Sequence, residues 1–595
     1  MCGLFGVVGP WALDLQAAEA ALRSRGPDDS GRFEGEGCRL LHTRLAIQDL
    51  SPLGHQPMRS GDGRLVLVFN GEIYTAPQLR GRLEAAGCRF DSRSDTEVIL
   101  QGFAQWGERV WAELDGIFAC ALWDADQRRL SLARDRFGIK PLYLQQRPGA
   151  LAFASELSAL RAAGATAVDR EALPAYALWG AFAGEQTPLQ GVSRLPAGAV
   201  AQWSAAGGLE LLERPSPSAP ALVEAPSSLE QAVLGVRERL QAAVAAQMIG
   251  DVPVGCFLSG GLDSGVLAAL LQDCSTEPVT SLCVGVDAAA GLEDEAERAQ
   301  ATADHLGTHH HTIRLEAAAM DGLFEEFLEA IDAPSIDGFN TFLVARAARQ
   351  IGLKVAFSGL GADEVFAGYP QFGQWQRSLE AAQPPSPLGR LPVQLLRLGG
   401  QQGLAYASRG LGAALDLRQI PFHGLPAARR HQLRAQRLGL LGAEADGDLP
   451  ALSRLELAGY LRDTLLRDTD AVSMHNALEV RVPYLDAALV RYSQQLPGAW
   501  QLAHGPKTLL RRAWGHRLPP QVLQAAKSGF NLALGPWLLS CSRFAPGRIS
   551  AQLKPWGVPR RAVLASWAYL RWRPERWQPY WRWVVLAEWL RGATA

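Results

Sequence analysis

Two short stretches of this sequence could do chemistry by residue type and position. The first is Cys2. Removal of Met1, which a side chain as small as cysteine permits, places the thiol beside a free α-amino group with an unperturbed pKa of about 8. Such an amine can serve as the base for its own side chain, the arrangement of an N-terminal nucleophile. The second is Ser259-Gly260-Gly261-Leu262-Asp263-Ser264. It follows the apolar run VPVGCFL and precedes GVLAALLQ, so it reads as a turn between a buried strand and a helix. Small residues there let the backbone approach phosphate oxygens, and the helix N-terminus adds its positive dipole end. No Gly-Lys-Ser/Thr follows, so this is not a Walker P-loop. The triplet His309-His310-His311 is a poor metal site, because consecutive strand residues face opposite ways.

The elements that must position these stretches fall into two groups. Residues 1 to about 210 read as strand-rich, with short apolar runs at 65–74, 117–124 and 129–135 and helices at 77–86 and 95–106. The Pro-, Ser- and Ala-rich stretch 213–228 is the linker. Beyond it, a helix at 229–249 precedes strands at 252–258, 279–286 and 353–361 that alternate with helices, the pattern of a parallel α/β sheet. Residues 371–450 read as helical connections of weak periodicity. The C-terminal tail carries seven tryptophans between 556 and 589, interleaved with arginines. That could make a nucleic-acid platform. Helical packing with snorkelling arginine stems is the preferred reading.

Composition narrows the class. The 595 residues are 48% hydrophobic and 20% charged, enough for sizeable cores. The 60 glycines and 36 prolines stay well below the roughly 25–30% of low-complexity chains. Net charge is −2, so no global basic field draws in nucleic acid or an anionic membrane. No apolar run reaches the ~18 residues of a bilayer span. The N-terminus lacks the basic region of a signal peptide. None of the eight cysteines forms a C-x-x-C pair. These features point to a reduced, cytoplasmic protein with no structural zinc.

Longer motifs extend both candidates. Met1-Cys2-Gly3-Leu4-Phe5-Gly6, Arg25-Gly26-Pro27-Asp28, His42-Thr43-Arg44-Leu45, Asn70-Gly71-Glu72-Ile73-Tyr74 and Ser94-Asp95-Thr96-Glu97 follow in that order. The series resembles the glutaminase domain of class II glutamine amidotransferases. The resemblance implies an Ntn-hydrolase-type αββα sandwich over 2–212. In it, Cys2 attacks the glutamine side-chain amide, and Asn70 and the Gly71 N–H hold the oxyanion. Arg44 takes the substrate α-carboxylate, and Asp95 with Glu72 takes the α-ammonium.

The second stretch is similar to the pyrophosphate loop of ATP pyrophosphatases. Further strings resemble asparagine synthetases: Ser358-Gly359-Leu360-Gly361-Ala362-Asp363-Glu364, Asp470-Ala471-Val472-Ser473-Met474, Leu478-Glu479-Val480-Arg481-Val482-Pro483-Tyr484, Gly505-Pro506-Lys507-Thr508 and Lys527-Ser528-Gly529-Phe530. This resemblance implies a parallel-sheet synthetase domain over 229–595. There ATP would meet Ser259, Gly260, Gly261, Asp263, Ser264, Ser358 and Gly359, with Val284 and Val286 lining the adenine pocket. Asp263 and Asp363 would hold Mg2+, and Lys507 would neutralise charge developing at the phosphates.

The family reading is a glutamine-dependent, ATP-driven amidation of a carboxylate through an acyl-adenylate, with aspartate as the acceptor and a homodimer as the assembly. The rivals are the same chemistry on another carboxylate such as a cell-surface sugar acid, a cyclase that uses the adenylate without external ammonia, and an inactive scaffold. One position departs from the family. Leu360 stands where the synthetases carry a carboxylate thought to assist deprotonation of ammonia, and leucine cannot titrate. Either another group, such as Glu364 or a phosphate oxygen, takes the proton, or the acceptor is not aspartate.

Overall fold

The computed structural model describes residues 2–213, 225–286, 295–380, 418–440, 448–524 and 534–594. Most of the expected linker, the Lys527-Ser528-Gly529-Phe530 string and much of 371–450 lie outside the described residues.

The N-terminal half is two antiparallel six-stranded sheets. Its strands are β1 (Cys2–Val8), β2 (Asp29–Gly35), β3 (Cys38–Arg44), β4 (Met58–Arg59), β5 (Leu65–Ile73), β6 (Gly116–Asp124), β7 (Arg129–Arg134), β8 (Tyr143–Arg147), β9 (Ala150–Ala154), β10 (Val192–Arg194), β11 (Val200–Ser204) and β12 (Gly208–Glu213). The orders are β10-β8-β9-β1-β3-β2 and β12-β11-β7-β6-β5-β4. The two-residue period of a strand decides the layers. Leu4 and Val8 of β1 meet Val66 and Val68 of β5 between the sheets. Phe5 and Val7 face outward onto Leu15, Leu22, Leu157 and Leu160 of two helices. Leu65, Leu67 and Phe69 face the helices Ala76–Ala85 and Asp95–Trp106 on the other side. Both sheets are covered on both faces, which gives the αββα sandwich and explains why β1 is buried along its whole length.

The C-terminal half is built on five parallel strands: β13 (Val254–Phe257), β14 (Thr280–Val286), β15 (His309–Leu315), β16 (Val355–Phe357) and β17 (Glu479–Arg481). Their order is β15-β14-β13-β16-β17. The chain leaves β13 in one direction for β14 and β15, then returns to the other side for β16 and β17. The strand order therefore reverses between β13 and β16, where open α/β sheets form a ligand crevice at the carboxyl ends of the strands. The sequence runs marked three of these strands, and the alternation argued for the histidine triplet is that of β15. The rings of His309 and His311 stack at 4.7 Å, while His310 Nδ1 meets Ser281 Oγ at 2.8 Å.

The tryptophan-rich tail forms the helices Arg560–Trp572 and Gln578–Thr594. Trp581 and Trp583 are fully buried in a cluster drawn from both halves, where the Trp581 ring meets Phe324, Phe327 and Phe339. Packing is thus the structural role of the second of these helices. One of its two arginines does not snorkel: Arg582 is fully buried and donates to Ala177 O at 2.6 Å and Pro421 O at 2.9 Å. Backbone carbonyls left over at element ends take the place of solvent.

One ion cluster joins the halves. Asp470 sits on the helix Arg467–His475. Its carboxylate accepts from Arg25 Nη2 at 2.9 Å and from Lys140 Nζ at 3.0 Å, and all three side chains are buried. Burial alone would push the Asp470 carboxyl up; Arg25 and Lys140 outweigh it and hold it below the ordinary carboxylate range. Asp470→Ala strands buried Lys140 and leaves buried Arg25 with Glu156 alone. The expected cost is about 3–5 kcal/mol, read as a lowered thermal midpoint at neutral pH. The difference from wild type should shrink as the pH falls below the ordinary Asp value and the native carboxylate itself protonates.

Candidate active sites

The first site forms where β1, β3 and β5 meet. Antiparallel register places Cys2 opposite Arg44. The Cys2 backbone N donates to Asn70 Oδ1 at 2.9 Å. That contact uses the acceptor end of the Asn70 amide. Its donor end, Nδ2, is buried and has no hydrogen-bond partner among the described residues. A buried orphan donor costs about 1–3 kcal/mol, so Nδ2 stands beside Cys2 as a donor that a ligand's oxygen could satisfy. Gly71 follows with φ +154°, and a Cβ there would lie 2.1 Å from Ile117 O. Only glycine fits.

Arg44 is held by the loop after β3. Its Nη1 donates to Ser51 O at 3.2 Å, and its Nη2 reaches Gln48 O at 3.3 Å and also Asp49 O. Burial pushes the Cys2 thiol up, and the terminal amine, the Leu45 N–H and Arg44 pull it partly back. The resting group is a thiol that needs a base.

Glu72 and Asp95 are both buried. Asp95 opens the helix capped by Ser94 and accepts from Ile73 N at 3.0 Å; burial pushes it up to about 6. Glu72 is raised well above the usual range, first by burial and then by Glu479. The structure thus brings Cys2, Arg44, Asn70, Gly71, Glu72 and Asp95 to one place.

It also adds residues that the sequence reading left without a role. Arg25 donates from Nε to Cys2 O at 3.1 Å. Glu479 and Arg481, from the other half, face Glu72, with Arg481 Nη2 3.5 Å from Glu72 Oε1. The signal was present: opposite charges two apart in the short apolar run LEVRV share one face of a strand.

The second site lies in the crevice at the sheet's reversal point. Ser259–Ser264 leaves the end of β13 and opens the helix Leu262–Asp273. Ser259 N donates to Ser264 Oγ at 3.1 Å, which closes the turn. Gly260 has φ +67°, and a Cβ there would lie 2.8 Å from Ala299 N. Ser358 and Gly359 leave the end of β16, and Gly359 comes so close that its Cβ would lie 3.1 Å from that of Asp263. Val284 is buried in the central core at the end of neighbouring β14, one residue pair before the strand ends at Val286.

Lys507 joins the two loops. Its Nζ lies 2.5 Å from Asp263 Oδ2 and 2.6 Å from Asp363 Oδ1. Burial alone would lower its pKa; the two carboxylates outweigh this and raise it. Gly368 makes this approach possible: a Cβ there would lie 2.0 Å from Asp363 Oδ1 and 2.2 Å from Lys507 Cε. Two carboxylates converging on one cation position fit Mg2+, which is commonly held by one or two carboxylates plus substrate phosphates. Among the described residues, no group of three or more His, Cys, Asp or Glu side chains could hold a metal alone. No described helix is long and apolar enough to cross a membrane.

Sequence comparison agrees with this geometry on both sides of the seam. The Glutamine amidotransferase domain family matches residues 1–211, and the Asparagine synthase family matches residues 235–591. A Mycobacterium tuberculosis protein named "Putative asparagine synthetase (glutamine-hydrolyzing)" is 32% identical, covering 90% of this chain and 88% of its own. Asparagine synthetase (glutamine-hydrolyzing) 1 of Bacillus subtilis is 28% identical over the same shares. Amidase chyE of Penicillium rubens is 28% identical, over 90% of this chain and 85% of its own. The αββα sandwich that opens on Cys2 is of the Ntn amidotransferase type, and the chain belongs to the glutamine-hydrolysing asparagine synthetase family, a family of ATP-using ligases that take an amide nitrogen from glutamine.

Proposed function

We propose that this enzyme activates the side-chain carboxylate of aspartate as an acyl-adenylate and aminates it with ammonia released at Cys2, giving asparagine, glutamate, AMP and pyrophosphate. The functional units are 2–212 and 229–595, joined by 213–228, and they act in the cytoplasm. The observation that carries the reading is the convergence of Asp263, Asp363 and Lys507 between two glycine-bearing loops at the reversal point of the parallel sheet.

Once Met1 is removed, the Cys2 amine takes the thiol proton and the thiolate attacks the glutamine amide. Asn70 Nδ2 and the Gly71 N–H receive the oxyanion; one such donor is worth about 3–4 kcal/mol. Arg44 receives the α-carboxylate, and Glu72 and Asp95 the α-ammonium. At the second site, the backbone of Ser259–Ser264 and Ser358-Gly359 cradles the phosphates, while Val284 and Val286 border the adenine. Lys507 then exchanges its two carboxylates for the negative charge that builds on the phosphates. Asp263 and Asp363 are left to a divalent cation, and bound Mg2+ supplies neutralisation of the departing pyrophosphate.

One observation favours a second acceptor class. Leu360 follows Ser358-Gly359 beyond β16 and is half-buried against the central apolar core, so a hydrocarbon stands beside the crevice where a carboxylate was expected. The group with a suitable proton affinity lies four residues on. Glu364 is buried, pushed up to about 7 by burial and then by Asp363, and accepts from Tyr369 Oη at 2.7 Å. With Glu364 as proton acceptor the aspartate reading stands. With an acceptor that packs on Leu360, the substrate is a larger or less charged carboxylate, such as a sugar acid.

Three measurements test these readings. Cys2→Ala should abolish glutamate formation from glutamine while leaving ammonia-dependent pyrophosphate release intact; retained glutaminase activity would remove Cys2 from its role. Gly368→Ala should do the reverse, cutting pyrophosphate release by about 100-fold through displacement of Lys507 and Asp363 while glutaminase activity persists. Pyrophosphate release should be read with glutamine, ATP and a panel of carboxylates. Asparagine formation at a rate matching the glutaminase flux establishes aspartate, and weak release with aspartate beside strong release with a larger acid discards it.

A further inference from the structure

The glutamine pocket borrows a cation from the other half of the chain. Arg481 is fully buried on β17, the edge strand of the parallel sheet. Three contacts fix its guanidinium: Nε donates to Glu479 Oε1 at 2.5 Å, and Nη1 donates to Ile249 O at 2.6 Å and to Gln247 O. The remaining corner, Nη2, makes no hydrogen bond among the described residues and faces Glu72 Oε1 at 3.5 Å. Gln48 Nε2 donates to the other oxygen, Oε2. The Glu72 carboxylate is therefore held from two sides, by a loop of its own half and by a strand of the other. Moreover, the Arg481 backbone O accepts from Ser358 N at 2.9 Å, so the strand that carries this cation is stitched to the phosphate crevice.

We propose that Arg481 is a positioning residue for glutamine: reaching across the seam, it sets the direction and the charge of the Glu72 carboxylate that receives the glutamine α-ammonium. The inference rests on Glu72 having that role. The charges around Glu72 make its counter-charge decisive. Glu479 from β17 and Asp95 from the helix Asp95–Trp106 repel it, while Arg481 and the terminal amine of the β1 strand attract it. Tyr74, two residues on, is half-buried beside the same groups, and Lys140 acts on Glu479. Burial and Glu479 together raise the Glu72 pKa, and Arg481 is the largest influence in the other direction. A protonated Glu72 has no charge to offer an ammonium. Glutamine affinity must then rise with pH as Glu72 ionises, and the position of that limb reports the balance between Arg481 and Glu479.

The test uses the full-length enzyme and glutamate release, with KM and kcat measured from mildly acidic to mildly alkaline pH. Arg481→Met should move the limb of KM to higher pH and raise KM about tenfold at neutral pH, one pKa unit, with kcat at saturation little changed. Arg481→Lys keeps the charge and should restore most of the shift. Glu479→Gln keeps an acceptor for Arg481 Nε but removes a repelling charge, so its limb should move to lower pH. Opposite shifts from the two neighbours are not expected of residues that merely support the fold. Should Arg481→Met fail to fold, Glu479→Gln decides alone. Limbs that move together, or do not move while Glu72→Gln raises KM, overturn the role of Arg481. An unchanged glutamine KM in Glu72→Gln overturns the reading of Glu72 itself, and the role of Arg481 with it.

Discussion

The contact on which this structure depends is the carboxylate of Asp470. Removing a charge from water costs several kcal/mol per ion even after relaxation, and it is offset only where geometry and hydrogen bonds are complete. Here three charged side chains leave water together. Arg25 spends Nη2 on Asp470, Nη1 on Glu156 and Nε on the carbonyl of Cys2. The guanidinium that locks the two halves thus also fixes the Cys2 peptide. Displacement of the helix Arg467–His475 would be felt at β1, because no other described carboxylate lies within ion-pair distance of both Arg25 and Lys140.

The same device serves at each reaction centre. Buried carboxylates that repel one another are held by one cation, which in each pair reaches at least one carboxylate of a different element. Lys507 holds Asp263 and Asp363; Arg481 holds Glu479 and faces Glu72. In both cases the cation comes from late in the chain. Each group of charges is fixed by its own contacts with no ligand present, so a charged ligand that entered would need little reorganisation of the protein.

Much of this was legible in the residues. Short apolar runs marked β5, β6 and β7, and two-residue alternation predicted the opposed faces of His309 and His310. The glycine-rich turn after an apolar run was placed correctly at the end of β13, opening a helix. The Asn70-Gly71 pair could be read as an oxyanion hole, and the structure leaves Asn70 Nδ2 without a partner. What could not be read were contacts set by docking. Glu479 and Arg481 sit inside a string that otherwise looks like ordinary core, and nothing local says that they face Glu72 of the other half. Gly368 looks like any turn glycine until Lys507 is packed against it. Arg582 carries a charge that composition assigns to solvent, yet carbonyls of two other segments take it in. Local pattern fixes elements and faces; the partners of buried charges depend on which elements meet.

The placement of Asp470 also bears on how the protein is made. Arg25 and its carboxylate are 445 residues apart in sequence, and Lys140 is 330 residues from the same group. A ribosome adding roughly 5–20 residues per second needs on the order of a minute to cross the longer gap. Throughout that interval the emerging αββα half holds Lys140 without its Asp470 partner and Arg25 with Glu156 alone, so its seam is incompletely compensated and favours water over closure. The strand β1 is tied to that seam through Arg25 and the Cys2 carbonyl. In a half-made chain β1 therefore lacks part of its final anchorage, which is complete only once the helix Arg467–His475 has been synthesised.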